Sequence, residues 1–328
     1  MTILVTGATG FLGSAIFDLA MASRLPVRGM ARRVAHQDDA SIVPGDILDA
    51  DAVERALTGA SSVIHTAGLA HVFTGRATTL ADFERTNVQG TATVMKTAVR
   101  LSIPRVILVS SVSVYGHLGD AVCDEATPCK PTNPYGASKL AAEQVAADIV
   151  AGTDTQLAIL RMATLYGERD PGNVMRLIRA IDRRRFVWLG DGRNRKSLVY
   201  RDDAARACLV AADHAWRSPT NVANVSAPPH TIRQVVDTIA TNLGRRMIGP
   251  HLPARPIMAA LSMCERVGPL ADRSKRLSRS IATWLSDDVY SGDRFAAEVG
   301  FVPRMALDEG IGREVAYYRQ QRTVTWRR

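Results

Sequence analysis

Short apolar runs alternate with longer amphipathic segments through the first half of the chain, the rhythm of strands buried on both faces and joined by helices. Ile3-Leu4-Val5 is the first such run, and Ala15-Ile16-Phe17-Asp18-Leu19-Ala20 behind it reads as a helix. Further strands are predicted over Pro26–Arg33, Ser41–Ile47, Ser62–Gly68, Arg105–Ser111 and Gln156–Met162. Helices are predicted over Ala50–Leu57 with Asp49 as cap, over Leu80–Leu101 and over Pro134–Ala151. Such alternation predicts an α/β fold, a doubly wound parallel sheet with right-handed crossovers. Beyond Gly167 the pattern loosens. Asn173–Arg185, Asp203–His214 and Thr231–Leu243 read as helices, the last capped by Thr231, and Phe186–Leu189 and Ser197–Tyr200 as short strands.

The junction of the first strand and helix carries Gly7, Gly10 and Gly13 in the stretch Thr6-Gly7-Ala8-Thr9-Gly10-Phe11-Leu12-Gly13. Glycines let the backbone turn sharply and approach a pyrophosphate without a Cβ in the way, while the N–H groups and positive dipole of the helix start face the anion. The spacing is G-x-x-G-x-x-G, and its place directly after a buried strand favours a dinucleotide and a Rossmann-like sheet over ordinary turn glycines. The second strand is read as ending at Arg32. An acid there would bind the adenosine ribose, whereas Arg32 and Arg33 suit a 2′-phosphate, tilting the expectation towards NADP(H) over NAD(H). A solvated strand end is the plainer alternative. Asp46, where strand meets helix, is placed to accept from an adenine amino group. His65 ends the fourth strand with no nucleophile near it in sequence, so a packed imidazole is expected there.

Composition narrows the function. With 328 residues the chain can bury a large core, and no run of about 20 apolar residues is present, so the expectation is a cytoplasmic protein without membrane insertion. Cys123, Cys129, Cys208 and Cys264 have neither C-x-x-C spacing nor a neighbouring His, so free thiols are expected and no metal. The net charge of +9 is uneven. Residues 1–150 hold 12 Lys and Arg against 14 Asp and Glu, and residues 151–328 hold 29 against 18. A basic second half suits an anionic, diphosphate-linked substrate. Nucleic acid fits less well, because the charge is scattered without interleaved aromatics. The stretch Arg255–Arg279 is rich in Met, Leu and Arg, which would allow contact with a membrane surface. Prolines at 253, 256 and 269 break any continuous surface helix, and a helix packed over a substrate cleft is the preferred reading.

Tyr135 and Lys139 stand four apart on a predicted helix, one turn from each other on the same face. There the ammonium would favour the phenolate, drawing the tyrosine down towards the range of general acid–base catalysis. Ser111, at the carboxyl end of the fifth strand, is placed to hold a substrate oxygen while Tyr135 gives or takes its proton.

These segments resemble the extended short-chain dehydrogenase/reductase family, also called the NAD-dependent epimerase/dehydratase family. The resemblance runs nearly end to end. It includes the glycine segment, Gly45-Asp46-Ile47, Asn87-Val88-Gln89-Gly90-Thr91, Ser110–Gly116, Pro134–Lys139, Leu160–Gly167, and late in the chain Gly300-Phe301-Val302-Pro303 with Leu307-Asp308-Glu309-Gly310. It implies Ser111, Tyr135 and Lys139 as catalytic residues, Ser113 as a second hydroxyl near the sugar, and Lys139 at the nicotinamide ribose. Gly7, Gly10, Phe11, Leu12, Gly13, Asp46, Ile47, Ala67 and Gly68 would line the cofactor. Within the family, His65–Val72 and Asn194–Val199 are similar to segments of bacterial UDP-hexose 4-epimerases and 4-keto reductases of surface-polysaccharide synthesis. That likeness implies Asn173 and Lys196, with Arg195 adjacent, at the nucleotide diphosphate. Lys196 stands where Arg is usual, and Thr164 replaces an Asn of many hexose 4-epimerases.

The implied enzyme has a cofactor domain of residues 1–166 plus 198–224 and a smaller C-terminal α/β substrate lobe of 167–197 and 225–328. It would act at C4 of a nucleotide-linked hexose, dimerising through the long fourth and fifth helices. Epimerase and 4-keto reductase stay open. So do an NADPH-dependent carbonyl reductase of the dihydroflavonol or 3β-hydroxysteroid type, against which Arg193–Lys196 argue, and a non-catalytic NADP-sensing regulator, against which the Tyr/Lys pair argues.

Overall fold

The computed structural model describes residues 2–33, 41–70, 78–116, 119, 121–246, 251–264 and 271–325. In chain order the elements begin with β1 (Ile3–Thr6), α1 (Phe11–Ala22), β2 (Val27–Ala31), β3 (Ile42–Pro44), α2 (Ala50–Leu57) and β4 (Ser62–His65). There follow α3 (Leu80–Phe83), a π-helical stretch Glu84–Gln89, α4 (Gly90–Arg100), β5 (Arg105–Ser111), a 3₁₀ turn Val112–Val114, α5 (Pro134–Val150) and β6 (Gln156–Met162). The remainder is β7 (Thr164–Tyr166), α6 (Asn173–Asp182), β8 (Trp188–Leu189), β9 (Arg195–Lys196), β10 (Leu198–Tyr200), α7 (Arg201–Asp213) and β11 (Thr220–Val225). After it come β12 (His230–Thr231), α8 (Ile232–Asn242), β13 (His251–Leu252), α9 (Ala254–Cys264), α10 (Ala271–Leu285), α11 (Asp293–Val299) and α12 (Leu307–Thr325).

Seven strands form one wholly parallel sheet in the order β11-β6-β5-β4-β1-β2-β3, the doubly wound Rossmann-like arrangement expected. Leu4, Val63, Val106 and Leu157 on one face meet α2, α4 and α5, while Val5, Ile64, Ile107 and Ala158 on the other meet α1 and α7. Alternate residues of each strand serve opposite cores, which is why the strands read as unbroken apolar runs. A third core joins α6, α8 and α12 around Ile178, Val236, Ile239 and Ile311.

Local chemistry sets most boundaries where the sequence places them. Asp49 accepts from Asp51 N–H and Ala52 N–H to start α2, and Thr231 forms a capping box with Gln234 at α8. The second strand is a correction. It ends at Ala31, not at Arg32, because its last rung is Gly45 N–H donating to Ala31 C=O beside Pro44, whose nitrogen has no hydrogen to donate. Arg32 and Arg33 lie beyond it, exposed. The long helix after Leu80 forms, but with the π-helical stretch inside it, and that stretch carries Asn87.

The Arg255–Arg279 stretch departs further from expectation. It divides into α9 and α10, which pack against each other, with Pro256 in the first turn of α9 where no intrahelical N–H is needed. No residue of α9 is fully buried, and none lines the cavity described below. The cleft-facing residues Ile281, Thr283 and Trp284 come from the end of α10, beyond the stretch itself. Pro269, and His71 and Val72 of the segment matched after His65, lie outside the described residues. Among the described residues no helix is long and apolar enough to cross a membrane.

Candidate active site

The glycine turn is built by exclusion. Gly7 has a φ of +71°, and a Cβ placed on it would lie 2.9 Å from the backbone of Ala67. A Cβ on Gly13 would lie 2.1 Å from the Gly7 carbonyl oxygen. No larger residue fits either place. Gly10 is the N-cap of α1, and Ser14 N–H donates to Gly10 C=O at 2.9 Å. The N–H groups of Phe11, Leu12 and Gly13 in the helix's first turn therefore point out of its start, as a bound pyrophosphate requires. The turn fits a dinucleotide, with Ala67 and Gly68 behind it. Asp46 lies at the β3–α2 turn, where its Oδ1 accepts from Leu48 N–H at 3.1 Å. The Ile47 side chain is buried under Gly90, whose added Cβ would meet it at 2.5 Å.

Behind the turn runs a buried chain of uncharged groups. Thr91 Oγ1 donates to Asn87 C=O at 2.6 Å, which leaves it to accept from His65 Nε2 at 3.1 Å. His65 Nδ1 then accepts from Thr6 Oγ1 at 2.7 Å, and Thr6 Oγ1 in turn accepts from Ala67 N–H at 3.4 Å. Burial first, and the nearby Lys139 charge second, press the His65 pKa down to about 3, so the ring is neutral. The packed imidazole expected from the sequence is there, satisfied by hydroxyls. Asn87 closes the chain, holding Leu69 N–H at 2.7 Å and Leu69 C=O at 3.0 Å and donating to Ser138 Oγ on α5 at 2.8 Å.

The structure brings Ser111, Tyr135 and Lys139 together at the carboxyl end of β5. Ser111 hydrogen-bonds with the Tyr135 hydroxyl, and Ser111 Oγ also accepts from Ser113 N–H at 3.2 Å. Gly136 lets α5 sit against this turn, since a Cβ on it would come within 2.4 Å of Ser113 C=O. Lys139 Nζ donates to Val109 C=O at 2.6 Å. The expected depression of Tyr135 is not found. Burial raises its pKa and outweighs the opposing Ser111 hydrogen bond. Burial instead lowers Lys139 to about 8, against the pull of Glu143. Phe83 packs on Tyr135 with ring centres 6.3 Å apart.

On the other side of α5 the buried chain is ionic. Arg161 pairs with Glu143 through Nη2 at 2.7 Å and Nε at 3.1 Å, and Ser110 Oγ donates to the same carboxylate. Arg161 Nη1 also donates to Tyr115 Oη at 2.9 Å, and Tyr115 donates to Asn224 Oδ1 at 2.8 Å. The sequence reading missed Glu143 and Arg161. A signal for Glu143 was present: residues 135, 139 and 143 rise along one helix face.

A cavity of about 710 Å³ lies between α6, α8 and the end of α10. Ser111 pairs in register with Met162, two residues before Thr164, which lines the cavity. Asn173, Arg176 and Lys196 all line it. Phe186 and Trp284, in edge contact with centres 6.2 Å apart, form an aromatic wall that the sequence reading also missed. Arg195 does not line the cavity. Its guanidinium is drawn to Asp287 at 2.8 Å, while Lys196 is held by Asp288 at 2.5 Å and Thr283 C=O at 2.7 Å. Part of the basic balance of the second half is thus neutralised in place.

The sheet order and the glycine turn place the molecule among the dinucleotide-binding α/β proteins. The chain belongs to the NAD dependent epimerase/dehydratase family, whose sequence pattern matches residues 3–226. It is therefore an NAD-dependent enzyme of the epimerase/dehydratase class. An N-acetyl-alpha-D-glucosaminyl-diphospho-ditrans,octacis-undecaprenol 4-epimerase of Escherichia coli O157:H7 is 28% identical over 325 residues, 96% of this chain and 94% of that protein. A dTDP-glucose 4,6-dehydratase of Streptomyces antibioticus is 29% identical over 343 residues, 98% of this chain and 93% of that protein. Among solved structures, MoeE5 in complex with UDP-glucose and NAD superposes with a TM-score of 0.76 at 27% identity, covering 98% of this chain and 99% of that one.

Proposed function

We propose that the protein epimerises C4 of a hexose carried on a nucleoside diphosphate, with UDP as the carrier and NAD retained between turnovers. The observation that carries this reading is the Ser111–Tyr135 hydrogen bond at the carboxyl end of β5, where the neighbouring strand β6 runs on to Thr164 in the wall of a cavity that Asn173 and Lys196 also line. In it, Gly7, Gly10, Phe11, Leu12 and Gly13 hold the cofactor pyrophosphate, Asp46 and Ile47 flank adenine, Ala67 and Gly68 line its path, and Lys139 binds the nicotinamide ribose. Bound NAD supplies the hydride acceptor and donor. Ser111 holds the C4 oxygen and Ser113 a neighbouring sugar hydroxyl. Tyr135 takes the proton from the C4 hydroxyl and returns it. Tyr135 takes that proton as the phenolate and returns it as the phenol; burial favours the phenol, and the Lys139 ammonium offsets the cost of the phenolate that must be present first. Lys196 and Asn173 hold the diphosphate, with Arg195 fixing Asp287 behind them.

The cofactor domain in this reading is residues 1–166 with 198–224, the substrate lobe is 167–197 with 225–328, and α4 and α5 form a homodimer interface in the cytoplasm. A second reading, NADPH-dependent reduction of a 4-keto nucleotide sugar, is favoured by Arg32 and Arg33 and by the absence of an acid at the end of β2.

The test is to denature protein purified without added cofactor, identify the nucleotide released, and assay conversion of UDP-glucose to its C4 epimer. Released NAD and epimer formation are expected. Tyr135→Phe is expected to keep NAD while losing roughly 10²–10⁴ in kcat. An empty protein preferring NADPH would replace the epimerase with the reductase.

A further inference from the structure

The helix pair α9–α10 leaves and rejoins the fold at the cavity. It enters through β13, which pairs with β8 on the cavity wall, and Ile281, Thr283 and Trp284 near the end of α10 line the cavity. Of the nine large apolar side chains exposed among the described residues, four belong to this region: Val187 beside β8 at 57%, Leu252 on β13 at 38%, Met263 on α9 at 71% and Leu277 on α10 at 50%. Val187 and Leu252 stand on or next to the paired strands β8 and β13, and Met263 and Leu277 on the packed pair α9 and α10, so the exposed apolar groups gather in one region of the fold.

The same region is bordered by positive charge. Arg183, Arg184 and Arg185 are exposed in the segment leading to Val187, Arg246 is exposed at the end of α8, and Arg255 is exposed in the first turn of α9. Three acids described near this face are engaged in ion pairs. Asp182 is paired with Arg245 and Arg322, Asp287 with Arg195, and Asp288 with Lys196. What remains is cationic with aliphatic side chains among the charges. Among the described residues of this face no Phe, Tyr or Trp is exposed for a nucleic-acid base to stack on. An anionic lipid surface complements both parts at once.

We propose that β13, α9, α10 and the Arg183–Arg185 segment form a docking face for an anionic phospholipid bilayer, holding the cavity at the membrane surface. This inference rests on the exposed face and not on the reaction proposed above, so either can fail alone.

The test is co-sedimentation of the full chain with vesicles of phosphatidylcholine alone and of phosphatidylcholine with phosphatidylglycerol, at low and high salt. Binding is expected to the mixed vesicles only, and to fall as salt rises. The variant Arg183→Gln/Arg184→Gln/Arg185→Gln is expected to lose on the order of a hundredfold in partitioning, about fivefold per charge. Met263→Ser/Leu277→Ser is expected to weaken binding without removing its salt dependence. Cofactor binding and melting temperature, unchanged in both variants, show that the fold is intact. Equal binding to neutral vesicles, no binding to the mixed ones, or no change in the arginine variant would overturn the proposal. A dimer that dissociates in the Met263→Ser/Leu277→Ser variant while vesicle binding is absent would give the face to a second copy of the chain.

Discussion

The helix that carries Tyr135 and Lys139 is flanked by two buried polar chains of opposite character. Towards the glycine turn, Thr6, His65, Thr91, Asn87 and Ser138 are linked by neutral hydrogen bonds only. Towards β6, Ser110, Glu143, Arg161, Tyr115 and Asn224 are organised around a full ion pair. Lys139 feels both, lowering the His65 pKa on one side and having its own raised by Glu143 on the other. The contrast shows how a buried lysine is kept chargeable. The side facing the cofactor turn adds no second cation, and the compensating anion stands on the far side, itself held by Arg161.

The ionic chain gives the largest expected effect if it is broken. Arg161→Met strands the Glu143 carboxylate in the core, and urea unfolding is expected to show a loss of roughly 3–5 kcal/mol. Adding Glu143→Leu removes the stranded charge and should restore most of it. If the double variant is as unstable as the single, the pair contributes through shape and not through charge.

The neutral chain is exposed by acid. The unfolded His65 imidazole titrates near its ordinary value of 6.5, whereas the folded one is held to about 3, so the unfolded state takes up the proton first as pH falls. His65 therefore lowers stability progressively between pH 6.5 and 3, by about 2 kcal/mol at pH 5 relative to neutral pH. Urea midpoints at pH 7 and pH 5 should converge by that amount in His65→Gln. An unchanged slope would mean that the ring carries its proton in the folded state.

The smallest effect lies within the same chain. Thr91→Val keeps the shape and removes the acceptor for His65 Nε2, and a loss of about 1 kcal/mol is expected in the same unfolding assay. A loss as large as that of Arg161→Met would erase the distinction between the two chains.

Legibility follows the range of the forces. The strands β5 and β6 and the helix α2 lie where the hydrophobic pattern and the Asp49 cap put them, because buried runs and caps are local. The glycine turn was readable for the same reason, and so was the one-turn spacing of Tyr135 and Lys139. Partners far apart in sequence were not. Arg195 reads as a phosphate ligand until Asp287, 92 residues on, takes its guanidinium. The rise of the Tyr135 pKa depends on burial by Phe83 and the surrounding sheet end, which no spacing reveals. Nor could the pattern show that no residue of α9 is fully buried, since its Met and Leu content suits a deeply packed helix equally well.

The position of β11 has a consequence for synthesis on the ribosome. This edge strand pairs only with β6, and it supplies Asn224, the acceptor for Tyr115 across 109 residues of chain. The other six strands are made by Met162, so most of the sheet can assemble before β11 emerges, with one flank of β6 still open. An open strand edge is a template for the wrong partner. From the time β6 emerges until β11 has followed it out of the ribosome, the nascent chain holds that edge bare, making this interval the stage of biosynthesis at which chaperone protection counts most.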